Sequence, residues 1–184
     1  MTLLIRIASP EDALAIAAVH TQAWHETYTG LIVQDYLDHF ITLERNTPRR
    51  RETLEKSERG EAHRHYIAFW ENQPVGFAAC GAWRETPYDG NIKPEGEISA
   101  IYLLNSAKRK GIGKALFKTA AEYLCEHGMK NCGVWVLEDN HPARIFYEEM
   151  GGKCVLTGTP VTIGNVTYAE CAYFYADTRR ITAA

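Results

Sequence analysis

Lys108-Arg109-Lys110-Gly111-Ile112-Gly113 stands between an apolar run and a long amphipathic one. Three cations and two glycines in six residues are suited to an anion. Glycine has no Cβ, so another group can approach its backbone closely. The first N–H groups of a helix lack partners and carry partial positive charge. If strand, loop and helix follow in that order here, the amides from Arg109 to Lys114 make a seat for phosphate. Two common phosphate loops are excluded by spacing. The pattern G-x-x-x-x-G-K-[ST] needs a glycine at 106, where Ser106 stands, and G-x-G-x-x-G needs one at 116, where Leu116 stands. A glycine pair at a helix start is also ordinary turn chemistry, so the loop alone decides nothing.

Three further residues carry chemistry nearby. Glu97 opens the apolar run Glu97-Ile98-Ser99-Ala100-Ile101-Tyr102-Leu103-Leu104. A carboxylate there suits a general base, and equally a partner for a surface cation. Asn140 precedes His141-Pro142, a turn with proline at the first position of a new helix. Tyr147 lies on that helix, where Ala143, Phe146 and Met150 already make the apolar stripe, so its hydroxyl is available for function, although the ring also reads as core packing on that stripe. The five cysteines are dispersed, without a C-x-x-C pair or an adjacent His that would suggest a nucleophile. His63 and His65 would share one face of a strand, but no acid or cysteine stands nearby, and a metal site is not expected.

The elements that must position these groups read as follows. Residues 97–104 are a buried strand. The amphipathic run after Gly111 is a helix with Ile112, Leu116, Ala120, Tyr123 and Leu124 on one stripe, ending at Gly128. Residues 132–137 are the next buried strand, and 142–150 the short helix. Strand with an early acid, basic loop with Gly-x-Gly, helix, strand, Asn, and a helix with an aromatic-Tyr pair before Gly151: this order resembles the GNAT superfamily of N-acetyltransferases. Lys108 stands where the family pattern [QR]-x-x-G-x-[GA] has Gln or Arg.

The resemblance implies an α/β (α+β) fold with a mainly antiparallel, splayed central sheet flanked by helices. It implies acetyl-CoA as co-substrate and no metal. Its diphosphate would lie at Lys108, Arg109, Lys110, Gly111, Ile112, Gly113 and Lys114. Its pantetheine arm would run along Ile101, Tyr102 and Leu103, with Asn140, Ala143 and Phe146 beside the cofactor. Glu97 would be the base and Tyr147 the proton donor to the leaving thiolate. Trp24 and Tyr28, four apart on the first helix, would form a wall of the acceptor site, although the same stripe also reads as core. The acceptor would be a primary amine of a small molecule or peptide, acetylated directly in a ternary complex. A chain of this kind without turnover would be an acyl-CoA-binding regulatory module, and one without a cofactor a structural interaction protein.

Whole-chain features agree. At 184 residues, 46% hydrophobic and 23% charged, the chain suits a single domain, 1–184, with a sizeable core. A net charge of -3 argues against general nucleic-acid binding. No apolar run approaches a membrane span of ~20 residues, and the N-terminus does not read as a signal peptide. Dispersed cysteines in odd number suggest reduced thiols and a cytoplasmic location. The remaining chain reads as a first strand at 4–7 and a helix capped by Ser9-Pro10. A short helix at 33–40 and a charged helix begun by Thr47-Pro48 follow. A hairpin spans 66–80, and the polar loop from Trp83 to Gly96 holds Arg84, Glu85, Tyr88 and Asp89. A strand begins at 153, 158–165 is turn-rich, and a last long strand at 166–176 is free to pair across a homodimer.

Overall fold

The computed structural model describes residues 2–84 and 93–183; Glu85, Tyr88 and Asp89 lie outside them. The order is β1 (Leu3–Ile7), α1 (Ala13–Tyr28), α2 (Gln34–Phe40), α3 (Leu43–Glu58), β2 (Arg64–Trp70), β3 (Gln73–Ala82) and β4 (Gly96–Leu103). Then come α4 (Ile112–Glu126), β5 (Cys132–Leu137), α5 (His141–Glu149), β6 (Lys153–Ile163), β7 (Val166–Tyr175) and α6 (Thr178–Ala183). The strands form one sheet in the order β1-β2-β3-β4-β5-β7-β6. Every pairing is antiparallel except β4 with β5.

Side-chain alternation along the strands builds two layers. Tyr66, Ala68, Ala78 and Ile98 join Leu116, Phe117 and Ala120 of α4 on one face. Ile67 and Phe77 join Ile16 and Val19 of α1 and Leu54 of α3 on the other. Burial from both sides explains why the middle strands read as continuous apolar runs.

The feature that positions the site lies between β4 and β5. They pair only at Gly96–Cys132 and Glu97–Gly133. Beyond that point β5 stays with β7 as far as Leu137, while β4 continues along β3 to Leu103. The two strands therefore part just after Glu97, and the β5-facing edge of β4 is left without a strand partner. A bulge in β4 at this level gives Ser99 no opposite number in β3, where Ala79 pairs with Ala100 and Cys80 with Ile98. Gly133 is required at the joint: a Cβ there would lie 2.5 Å from the Trp83 ring. Trp83 thus packs over the last paired position and sets the next residue, Arg84, beside Glu97.

Three expectations are corrected. The charged helix begins at Leu43, not after Pro48, because Thr42 Oγ1 accepts from the Arg45 N–H and Asn46 is buried on α1. Pro48 is carried inside the helix by that tertiary packing. Strand β6 runs on through Gly158-Thr159-Pro160, where a turn is expected, and the hairpin turn is at Gly164-Asn165. A proline is tolerated there because β6 is the edge strand. For the same reason the last strand is not free to pair across a dimer: β7 is enclosed by β5 and β6.

The two buried histidines have an acid-stability consequence. His20 is 6% exposed and its Nδ1 accepts from the Asn46 amide at 3.1 Å, which requires a neutral ring. Burial, then the Arg50 cation, pushes its pKa down to about 3. Burial likewise lowers His65 to about 4. Below the ordinary pKa of about 6.5 the unfolded chain binds protons that the folded chain refuses, so this stability is complete above that pH and lost as pH falls. Each ring is expected to remove up to about 1.4 kcal/mol per pH unit between about 6.5 and 4. Urea unfolding at pH 7 and pH 5 checks this, and His20→Leu should remove about half of the dependence.

Candidate active site

A cleft of about 500 Å³ opens at the parting of β4 and β5. Glu97, Ser99 and Tyr102 of β4 line one side, Trp135 and Leu137 of β5 the other. Trp24 and Tyr28 of α1 close the top, with ring centroids 4.7 Å apart in an edge-on contact. Tyr102 packs on this side against His20, with ring centroids at 5.4 Å. Expected to act through its backbone, Tyr102 also supplies its side chain to the cleft wall. Ile101 and Leu103 point to the opposite face and pack beside the α4 core.

Glu97 is only 2% exposed. Both of its carboxylate oxygens accept from Arg84: Nη2 donates to Oε1 at 2.6 Å and Nε to Oε2 at 2.9 Å. This paired geometry is the strong form of a charge-assisted hydrogen bond. The base and the cation-partner readings of Glu97 thus meet in one residue. Nothing local in the sequence signals the pair, because thirteen residues separate its members.

Tyr147 is buried on α5 among the rings of Phe117, Phe146 and Tyr173, at 6.0, 5.5 and 5.8 Å. Its hydroxyl makes no hydrogen bond with a described residue. Burial first, then Tyr102, raises its pKa far above the ordinary phenol value. Tyr28 is raised by burial first and then by Tyr102 and Tyr147, with the Asn140 side chain acting against the rise. Of these, Tyr28 and Tyr102 line the cleft, and Asn140 and Tyr147 lie outside its lining. Asn140 also supports the backbone, since its Oδ1 accepts from the Ala143 N–H at 3.3 Å and caps α5.

The basic loop lies at the far end of β4. Gly111 is the residue before α4 and adopts φ 78°, ψ -4°, a left-handed conformation suited to glycine. Among the described residues, no acceptor is bonded by the N–H groups of Gly111, Ile112, Gly113 and Lys114; the first to bond is Ala115, to Gly111 O at 3.0 Å. Ile112 is fully buried, so only its backbone faces outward. Gly113 brings the loop against Phe146, 3.7 Å from where a Cβ would be. Ala143 and Phe146 pack beside the α4 core. Lys108, Arg109 and Lys110 are exposed, with Lys110 Nζ over the Trp70 ring at 5.5 Å.

Ser99, Trp135 and Glu170 are among the cleft residues not anticipated by the sequence. Ser99 meets His63, whose Nε2–H donates to Ala82 O at 2.9 Å and whose Nδ1 is 2.8 Å from Ser99 Oγ. His65 Nδ1 turns to His63 O. Among the described residues no group of three or more His, Cys, Asp or Glu is placed to hold a metal. No helix there is long and apolar enough to cross a membrane.

Comparison with known proteins agrees with this geometry. The model of the acetyltransferase (GNAT) family matches residues 22–152. The chain is 37% identical over 147 residues to the uncharacterized N-acetyltransferase YuaI of Bacillus subtilis, covering 78% of this chain and 76% of that one. It is 24% identical over 156 residues to a spermidine N(1)-acetyltransferase of Thermoplasma acidophilum, covering 83% and 89%. Its fold is similar to the PaiA N-acetyltransferase from Thermoplasma acidophilum, crystallised with coenzyme A. The TM-score is 0.73 at 22% identity, over 95% of this chain and 100% of that one. With a splayed sheet, an amide seat at the head of α4 and a family match over most of its length, the chain belongs to the GNAT family of acetyl-CoA-dependent N-acetyltransferases.

Proposed function

We propose that residues 1–184 act as one acetyltransferase domain that moves the acetyl group of acetyl-CoA to a primary amine of a small molecule or peptide, directly in a ternary complex. The observation that carries this reading is the continuity of three features. A cleft at the parting of the strands, an unpaired β4 edge and free amides at Gly111–Lys114 follow one another along the chain. The amides fit a diphosphate, and the edge at Ile101, Tyr102 and Leu103 fits the amide-bearing pantetheine arm. When bound, acetyl-CoA supplies an activated thioester. The CoA-bound structural neighbour and the spermidine-acetylating relative support a CoA donor and an amine acceptor.

An amine of pKa near ~10 is almost wholly ammonium at neutral pH, and only the neutral form attacks. A base is required. Glu97 stands where the strands part, and the lone pairs that Arg84 leaves free take the proton, directly or through water. Tyr147, kept protonated by burial, gives a proton to the departing sulfur. Five free thiols fit a cytoplasmic location.

One observation favours a second reading, a regulatory module that binds acyl-CoA without turnover: the tight Arg84–Glu97 pair. Thiol release from acetyl-CoA with a panel of primary amines separates the two. Amine-dependent release is expected; CoA binding with no release from any amine would support the module.

A further inference from the structure

Among the described charged residues of the cleft, Glu170 alone is not accounted for by the reaction. It lies on β7, opposite Leu137 of β5, and lines the same cleft as Glu97 and Arg84. No hydrogen bond or ion pair joins its carboxylate to a described residue. Arg84 donates to Glu97 through Nε and Nη2, so the two charges cancel and the charge of Glu170 remains. A half-buried carboxylate without a donor is disfavoured in its charged form. Burial accordingly raises its pKa, with Arg84 opposing and Glu97 adding to the rise. Such a group is completed by a cation.

The walls point the same way. Trp24, Tyr28 and Trp135 line this cleft, and aromatic faces attract ammonium groups. The cation that completes Glu170 is not the reacting one. The reacting nitrogen loses its charge before attack and belongs beside Glu97, where the strands part. β5 lies between β4 and β7, so the two glutamate backbones are at least two strand spacings apart, roughly 10 Å.

We propose that Glu170 is a specificity-determining residue that anchors a second positive charge on the acceptor, so that the preferred substrates are diamines or polyamines rather than monoamines. This rests on the acetyltransferase reading of the same cleft. A carbon chain between the two nitrogens would run along the aromatic wall, and an acceptor with a neutral or acidic far end would leave Glu170 uncompensated.

The test compares 1,4-diaminobutane and 1,6-diaminohexane with the monoamines of the same chain length, in wild type, Glu170→Gln and Glu170→Asp. Wild type should favour at least one diamine by about tenfold or more in kcat/KM, the scale of a hydrogen bond between charged groups. Glu170→Gln should bring that ratio near one through KM, and Glu170→Asp should restore part of it. Thermal unfolding of each variant identifies any that is misfolded, and the ratio is read only within folded protein. Calorimetric titration of diamine into the CoA-bound protein gives a readout independent of turnover. Diamine binding that is lost in Glu170→Gln supports the proposal even if no thiol is released, in which case the transferase reading alone fails. A ratio near one in wild type, a ratio unchanged in Glu170→Gln, or no diamine binding would each overturn it.

Discussion

Gly111→Asp should raise KM for acetyl-CoA by about 10²-fold, or ~2.7 kcal/mol, with only a small loss of stability. The two effects separate because of where Gly111 stands. Its φ of 78° lies in the left-handed region, which Asp tolerates better than most residues. A Cβ there meets nothing within 4 Å. A carboxylate before the first turn of α4 favours the positive end of the helix and offsets part of the strain of a side chain at this φ, so unfolding temperature should fall only slightly. The same charge competes for the free amides of Gly111–Lys114 and repels a diphosphate approaching them. Gly111→Asn, of the same size without the charge, should lose far less. Steady-state kinetics with acetyl-CoA as the varied substrate, alongside thermal unfolding, checks both halves. If the Asp and Asn variants were alike, charge at the loop would have no part in binding.

Removal of one oxygen atom in Tyr147→Phe should lower kcat by about 10²-fold, the low end of general acid catalysis. The ring is held by Phe117, Phe146 and Tyr173, and the hydroxyl bonds to no described residue. The variant therefore keeps its packing, and stability should change little. Because burial raises the phenol pKa, the protonated form persists across the working range, and Tyr147 should add no alkaline limb below about pH 10. A fall in kcat much larger than the change in acetyl-CoA KM is the expected signature. An unchanged kcat would move the proton donation to another group, with Tyr28 and Tyr102 the phenols that line the cleft.

Local chemistry makes the centre of this protein legible. The order β4, basic loop, α4, β5, α5 follows from apolar periodicity, two glycines and one Asn-His-Pro turn, each decided within a few residues. Long-range contacts are not legible in the same way. Glu97 stands out in the sequence, but its partner Arg84 is brought to it by a Trp83 ring packed on Gly133, a contact made only once the sheet has formed. Glu170 carries a signal, a charge within the apolar run of β7. Which face it occupies depends on β7 lying between β5 and β6, a sheet order no local pattern encodes. The start of α3 and the length of β6 depart from expectation for one reason. Pro48 and Pro160 have a usual local meaning, and tertiary packing in one case and an edge position in the other override it.

Everything proposed for the reaction depends on the backbone at the head of α4 receiving the nucleotide end of the donor. A crystal structure of the protein with CoA is the most direct measurement. The expected result has diphosphate oxygens ~2.7–3.2 Å from the amide nitrogens of Gly111 to Lys114, with the pantetheine arm along the open edge of β4. CoA bound elsewhere, with those four amides still without acceptors, would contradict it.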